Sequence, residues 1–422
     1  MVSRFCRRSG RATRVTRAVT CSPPPTSLGA SMPPGEARTD FGPASRVRAV
    51  LTMPVPETTS FSPQASEARP ATRLPAGGRV LVVGAGAVGS LLGGMLGSVG
   101  YDVTLVRIFE SDSERPLALV RPDGTRTTVP VHRFARTADA PEPDLILVAV
   151  KMPALREALA PTLRWPATPT LTVENGIGAE VTAAEMRPNA PQLAASLTAP
   201  ARLISEDEVQ QMGRGGLALA PANEAARPLV SGLLDDFARA GLRVAQQPDA
   251  APMKWSKLLA NLIANATGAI LDMDADAIYR HPGLYQVERR QLLEAVAVMA
   301  AQGFRPVALP GAPISWLVRG MRLPSWLGRP IMARVVGGAR AGKSPSLRLH
   351  VSSTPPDAPA AEPTEVAWMN GAVAVAGARV SLETPVNARL ADLVDEVAAD
   401  PGRRAWFRGN PERLLAELGG RP

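Results

Sequence analysis

The sequence predicts an α/β domain built on a parallel sheet, followed by an all-α C-terminal domain and preceded by a disordered N-terminal tail. Three observations carry this expectation. From Val80 to Gln247, short apolar and β-branched runs alternate with helical patterns. A glycine-rich turn joins the first run to the first helical pattern. After Asp249 the apolar spacing is helical. A chain of 422 residues exceeds one ordinary core, so two folded domains are expected, over 77–249 and 250–422.

Residues 1–76 mix Arg, Pro, Ser and Thr without sustained apolar periodicity, which reads as a disordered tail. No apolar segment follows its arginines, which argues against a secretory signal. A genuine tail, a transit peptide and an upstream start (with Met32 or Met53 the true first residue) all remain open. The net charge of +9 is concentrated here: residues 1–78 carry eleven Arg against four acids, leaving +2 for the rest. A basic groove that tracks phosphates belongs in a folded body, so nucleic-acid binding is not expected. Both cysteines, Cys6 and Cys21, also fall in the tail, and a reducing cytoplasm fits. His132, His281 and His350 lack clustered partners, so no metal site is expected. Val80–Tyr101 is free of charge for 22 residues, but its seven glycines divide it into strand, turn and helix and exclude a membrane span.

Val80–Val83 reads as a buried strand, followed by Gly84-Ala85-Gly86-Ala87-Val88-Gly89 and an apolar helix ending near Gly100. A second strand, Val103–Val106, completes a βαβ unit of the Rossmann type. Gly84 permits the tight turn, Gly86 lets backbone approach a pyrophosphate, and Gly89 allows close helix–strand packing. Arg107 ends the second strand, where an arginine favours the 2′-phosphate of NADP over the bare ribose of NAD, so NADPH is the expected cofactor. Glu110 and Asp112 lie further along. The run LILVAV ends in Lys151, and TLTVENGIG gives a strand ending in Asn175-Gly176. Both sites lie at carboxyl ends of strands, where open α/β sheets bind ligands. Strand-like segments at 193–200, 215–223 and 242–247, with a helix near 226–240, finish this half.

The chain writes 43 of its 47 cations as Arg, yet Lys254 and Lys257 stand three residues apart in MKWSKLLANLIANATGAIL. On one continuous helix, Asn261 and Asn265 fall about 40° and 80° from Lys257, a narrow polar stripe opposite Leu258, Leu259, Leu262 and Ile263. A guanidinium stays protonated, whereas a desolvated ammonium can release a proton. Lys257 therefore reads as a proton donor and the asparagines as neutral partners of a small polar ligand. The bland alternative is the wet face of a surface helix.

Five segments in order, GAGAVG (84–89), VKM (150–152), ENGIG (174–178), KLLANLIAN (257–265) and TEVAWMNG (364–371), resemble the ketopantoate reductase (2-dehydropantoate 2-reductase) family over about residues 79–395. The resemblance implies an NADP-binding Rossmann domain and a helical domain with the substrate between them. It implies a catalytic role for Lys257 and substrate binding by Asn261, Asn265 and a serine. Ser346 fits the local motif, while Ser353 has the expected spacing to Glu365 and an Asp357 four residues on; Ser346 is favoured. It also implies cofactor contacts by Lys151, Asn175, Ala199 and Glu365. Lys254 has no matching role and reads as a supporting charge or a surface residue, mild when replaced. Two departures stand out: the family arginine usually falls one residue after Arg107, and Glu174 replaces a common Gln. The implied activity is NADPH-dependent reduction of 2-dehydropantoate to (R)-pantoate, with a homodimer allowed. The alternatives are a reductase of another small oxo acid and a non-catalytic NADP-binding sensor or scaffold.

Overall fold

The computed structural model describes residues 73–107, 112–340, 346–353 and 364–419. The expectations for residues 1–72, Glu110 and Asp357 lie outside the described residues, as does the Ser353 side chain.

Among the described residues, twelve strands form two sheets. In chain order they are β1 (Arg79–Val83), β2 (Asp102–Val106), β3 (Leu117–Val120), β4 (Arg126–Val129), β5 (His132–Phe134) and β6 (Leu145–Val148). Then come β7 (Thr170–Thr172), β8 (Gln192–Leu197), β9 (Ala201–Ser205), β10 (Glu208–Gln211), β11 (Gly216–Pro221) and β12 (Arg243–Gln246). The main sheet runs β12-β11-β8-β7-β6-β1-β2-β5, parallel except where β11 meets β8. All four residues of β6 are buried, as its unbroken apolar run requires of a strand covered on both faces. The chain moves from β1 to β2 on one side and later returns to place β6 on the other. That strand-order reversal opens a crevice at the carboxyl ends of β1 and β6.

Among the described residues, the α-helices that accompany the strands are α1 (Ala87–Ser98), α2 (Leu155–Leu159), α3 (Ala179–Met186) and α4 (Leu229–Arg239). The second sheet, β4-β3-β10-β9, was not anticipated from the sequence. It covers the outer side of α1, which explains why that helix is so rich in glycine. A Cβ at Gly93 would press on Val82 and Leu105 of the main sheet, whereas one at Gly94 would reach Leu117 and one at Gly97 would strike Val129, both in the second sheet. Buried Arg133 of β5 ties the two sheets together by donating to the Glu206 carbonyl and pairing with Asp207 at 3.1 Å.

From Ala250 the described chain is helical: α5 (Ala250–Leu262), α6 (Ala266–Leu271), α7 (Ala275–Arg280), α8 (Pro282–Ala301), α9 (Ile314–Arg322), α10 (Ser325–Arg340) and α11 (Ser346–Ser353). α12 (Asn370–Arg379), α13 (Pro385–Ala399), α14 (Pro401–Phe407) and α15 (Pro411–Glu417) follow. Leu258, Leu259 and Leu262 of α5 enter this helical core, which continues onto Ala194, Ala218 and Ala220 of the sheet. α5 therefore lies against the sheet with its polar side turned toward the strand ends.

The continuous stripe expected from Lys257 to Asn265 requires correction. α5 stops at Leu262, Ala264 takes φ +49°, and Asn265 stands at the N-terminus of α6. The cause is Glu288, buried on α8, whose carboxylate accepts from the Ala264 N–H (2.7 Å), Thr267 Oγ1 (2.7 Å), Tyr279 Oη (3.1 Å) and Gln291 Nε2 (2.9 Å). Four donors converging on one buried acid hold the break. Burial raises the Glu288 pKa, and the same donors oppose that rise.

Candidate active site

The glycine turn leaves β1 at Gly84, whose φ of +99° lies in the left-handed region. A Cβ there would meet the Ala149 carbonyl oxygen at 2.7 Å, and one at Gly89 would strike the Gly84 carbonyl. Gly86 is different: a Cβ on it would meet nothing within 4 Å. The exposed backbone at Gly86, just before the first turn of α1, is the open cradle that a pyrophosphate requires. Ala85 is buried, and Ala87 and Val88 begin the helix. The Gly84 and Ala85 N–H groups both donate to the Val106 carbonyl at 3.0 Å, which sets Arg107 directly beside the turn. Its guanidinium lies 3.6 Å from Glu206, in the turn between β9 and β10. Asp112 instead caps Ala135 N–H.

Across the crevice, Lys151 begins the turn after β6, and the half-buried Glu365 accepts from the Met152 N–H. Burial raises the Glu365 pKa, with Lys151 nearby opposing the rise. Asn175 Oδ1 accepts from Asn261 Nδ2 at 3.1 Å, joining the strand-end loop to α5. Gly176 has φ +90° and leaves no room for a Cβ against Trp368, whose carbonyl accepts from Ile177 N–H at 2.9 Å. Ala199 is buried against Gly215 beyond the end of β8.

Lys257 is half-buried one turn before Asn261, on the same face of α5. Despite the helix break, Asn265 still joins the group. Its Oδ1 accepts from Leu347 N–H at 3.0 Å, and its Nδ2 lies 3.4 Å from Ser346 Oγ. Ser346 thus stands at the start of α11 beside Asn265, whereas Ser353 ends that helix two turns away. The contacts thus form three local groups: Asn261, one turn after Lys257, with Asn175; Asn265 with Ser346; and Glu365 with the turn that carries Lys151.

Lys254 is not a surface residue. It is 3% exposed, and its Nζ donates to the Glu174 carbonyl at 2.6 Å and lies 3.1 Å from Glu180. It clamps α5 onto the loop that carries Asn175. A mild effect on replacement is no longer expected, because its loss leaves a buried carbonyl and Glu180 without their cation. Beside it, Glu174 is fully buried, and desolvation raises its pKa to about 8 against the opposing pull of Lys254. One carboxyl oxygen of Glu174 accepts from Val173 N–H, while the other has no partner among the described residues.

Sequence reasoning missed Glu288 and the Lys254 clamp. A signal for the first existed: Glu288 and Gln291 interrupt the buried stripe of α8 between Leu284 and Ala295 at helical spacing. Among the described residues no group of His, Cys, Asp or Glu could hold a metal, and no helix is long and apolar enough to cross a membrane.

The strand-order reversal, the glycine turn and the open backbone at Gly86 define a Rossmann-type, dinucleotide-binding fold, and Asn261 of the helical half reaches its strand-end loop at Asn175. Residues 80–224 match the family model "Ketopantoate reductase PanE/ApbA", and 249–398 match its C-terminal counterpart. The chain belongs to the ketopantoate reductase family, oxidoreductases acting on CH–OH groups with a nicotinamide dinucleotide. It is 26% identical over 327 residues to the 2-dehydropantoate 2-reductase of Pyrococcus horikoshii, covering 75% of this chain and 96% of that one. The enzyme of the same name from Halobacterium salinarum is 27% identical over 325 residues, 75% and 97% of the two chains. Among solved structures, a PanE/ApbA family ketopantoate reductase from Ralstonia eutropha JMP134 superposes with a TM-score of 0.62 at 22% identity, over 77% of this chain and 99% of that one. D-mandelate dehydrogenase in complex with NADH and anilino(oxo)acetate shares the fold, with a TM-score of 0.59 at 19% identity over 76% and 98%.

Proposed function

We propose that this chain is a cytoplasmic, NADPH-dependent reductase that converts 2-dehydropantoate to (R)-pantoate, with Lys257 as the general acid. The reading is supported by Lys257 and Asn261 lying one turn apart on α5, with Asn261 joined to Asn175 and Asn265 beside Ser346. A nicotinamide dinucleotide held by the glycine turn would supply a hydride for the ketone carbon. Lys257 gives a proton to the developing alkoxide, and its positive charge stabilises that oxygen as negative charge builds there. Asn261, held by Asn175, offers a neutral amide to the substrate, and Asn265 with Ser346 orients the carboxylate or hydroxyl. Gly84 to Gly89, Lys151, Asn175, Ala199 and Glu365 hold the cofactor. Glu365, whose pKa burial raises, would contribute a carboxyl able to donate to or accept from the cofactor.

Arg107 supports the choice of NADPH, since it stands beside the glycine turn where a 2′-phosphate would lie. The domain division proposed is 77–249 for the cofactor and 250–422 for the substrate, with Lys254 and Asn261 linking them. The testing experiment is dinucleotide oxidation by the purified protein with 2-dehydropantoate and a panel of other 2-oxo acids, using NADPH and NADH. Turnover of 2-dehydropantoate with NADPH is the expected outcome. Tight dinucleotide binding without reduction of any oxo acid would point instead to a sensor.

A further inference from the structure

We propose that a cleft outside the cofactor crevice is a second anion site, which binds a small molecule through a dianionic phosphate group. The cleft measures about 620 Å³, within the range of small-molecule sites. It lies where the second sheet meets β12, the edge strand of the main sheet. Three separate stretches of chain build it. They are the turn from Arg121 to Thr125 between β3 and β4, Gln211 to Gly215 at the end of β10, and Gly241 to Arg243 at the start of β12. None of the residues assigned above to cofactor or substrate lines it.

Arg121, Arg214 and Arg243 converge on this cleft. Main-chain carbonyls, rather than carboxylates, hold two of them. Arg121 donates to the Ala240 carbonyl, and Arg243 Nε donates to the Gly215 carbonyl at 3.3 Å. Arg121 is closely seated: Gly241 has φ +84°, and a Cβ there would come within 3.3 Å of the guanidinium. Among the described residues none of the three forms an ion pair. By contrast, Arg115, Arg126, Arg136, Arg156, Arg227 and Arg239 of the same half each pair with an Asp or Glu. Desolvation lowers the Arg121 pKa and Asp123 alone opposes it, as expected of a guanidinium drawn partly out of water without a counter-ion.

The charge chooses the ligand. Asp123 is the only acid in the lining, and its carboxylate accepts from the Thr125 N–H at 2.9 Å, which closes the β3–β4 turn. Three arginines against one acid leave the cleft with a net charge of +2. A phosphate monoester carries close to two negative charges at neutral pH, and guanidinium forks match its oxygens. A carboxylate, with one charge, would leave the cleft still positive. Like charges gathered in a concave site also raise the local concentration of anions. Thr125 and Gln211 add a hydroxyl and an amide to the lining, polar groups suited to the organic remainder of an ester.

The test is calorimetric titration of the full chain, at fixed ionic strength, with inorganic phosphate, glycerol 3-phosphate and acetate. We expect saturable binding of both phosphates with a Kd below about 1 mM, and none of acetate. Tighter binding of glycerol 3-phosphate identifies an organic phosphate as the ligand, and equal affinity identifies phosphate itself. Arg214→Gln and Arg243→Gln should each weaken binding by at least about tenfold, the worth of a charged hydrogen bond. Arg214 is exposed, so its replacement reports on the cleft even if Arg243→Gln, which removes a partner of the Gly215 carbonyl, fails to fold. Asp123→Asn keeps the acceptor of the turn but not its charge, and should tighten binding. Gly86→Val, at a position with room for a side chain, fills the cradle of the glycine turn and should leave this affinity unchanged. No saturable binding of either phosphate would overturn the proposal. So would affinity that survives Arg214→Gln undiminished, or that disappears in folded Gly86→Val, because the phosphate would then sit at the glycine turn.

Discussion

The glycine turn after β1 and the break between α5 and α6 both place backbone in the left-handed region, but for different reasons. At Gly84 the φ of +99° and the approach of the Ala149 carbonyl demand glycine, so the residue type and the geometry share one cause. At Ala264 the φ of +49° is imposed on an L-residue by Glu288, which stands 24 positions later in the chain. The first region is a local device that six letters announce. The second is a tertiary device that points Asn265 at Ser346, and its own letters read as an uninterrupted helix.

The largest test of this contrast separates chemistry from cofactor binding. Lys257→Ala should reduce kcat by at least about 10², because proton transfer and alkoxide stabilisation act only in the transition state. Dinucleotide affinity, measured by fluorescence titration, should survive, since the turn belongs to the sheet. Lys257→Arg keeps the charge without an accessible proton and should remain well below wild type. Near-normal turnover by folded, saturated Lys257→Ala would return α5 to an ordinary wet face.

Next in size is Arg107→Ala at the turn itself. If the guanidinium holds a 2′-phosphate, the KM for NADPH should rise by roughly 10- to 150-fold, the worth of a charged hydrogen bond. The KM for NADH should change little. Glu206 lies 3.6 Å from Arg107 and competes with an incoming phosphate, so Glu206→Gln should move the NADPH value in the opposite direction. Equal losses with both dinucleotides would remove the 2′-phosphate assignment.

These two residues also mark what the sequence made legible. β1, α1, β2 and β6 follow from period and composition, because strands buried on both faces leave unbroken apolar runs. The second sheet left only one such trace, the apolar run Leu117–Val120 of β3. β4 and β9 are short and largely exposed, with burial limited to Val129 in the former, so no apolar alternation identifies them. Their imprint falls on another element, as the glycines Gly94 and Gly97 of α1. In the site, Lys257, Asn261 and Ser346 were legible as residue types that the rest of the chain avoids or that match a family pattern. Lys254 was not, since a lysine clamped on a carbonyl from 80 residues earlier reads the same as a surface lysine.

A smaller effect should appear in pH dependence at Glu174, where the two halves meet. Its pKa is raised from 4.5 to about 8, so the folded state favours the neutral acid while the unfolded chain ionises freely. The stability associated with that proton is complete below pH 4.5 and is lost progressively as pH rises toward 8, beyond which it stays constant. Glu174→Gln carries no proton to lose. Its Tm should therefore exceed that of wild type by several degrees at pH 8.5 and converge toward it near pH 4.5. A constant offset across that range would mean that Glu174 is ionised in the folded protein, held so by Lys254.

The finest test exchanges the residue types of the two regions. Left-handed backbone costs an L-residue roughly 1–2 kcal/mol, which Ala264→Gly would recover. Against that stand about 0.4–1 kcal/mol of added unfolded-state freedom and about 0.8 kcal/mol for a buried methyl. The sum lies near zero, so Ala264→Gly should unfold in urea close to wild type. Ala295→Gly is the control: this alanine is equally buried, but in the interior of α8, where its helical backbone has no strain to release. That replacement carries both losses in full, the entropic one being what the helix penalty of about 1 kcal/mol for glycine expresses. A difference of about 1–2 kcal/mol between the two variants is expected, in favour of position 264. Equal destabilisation would mean that Glu288 does not hold Ala264 in a strained conformation, and that the break comes from the chain's own preference at Ile263–Asn265.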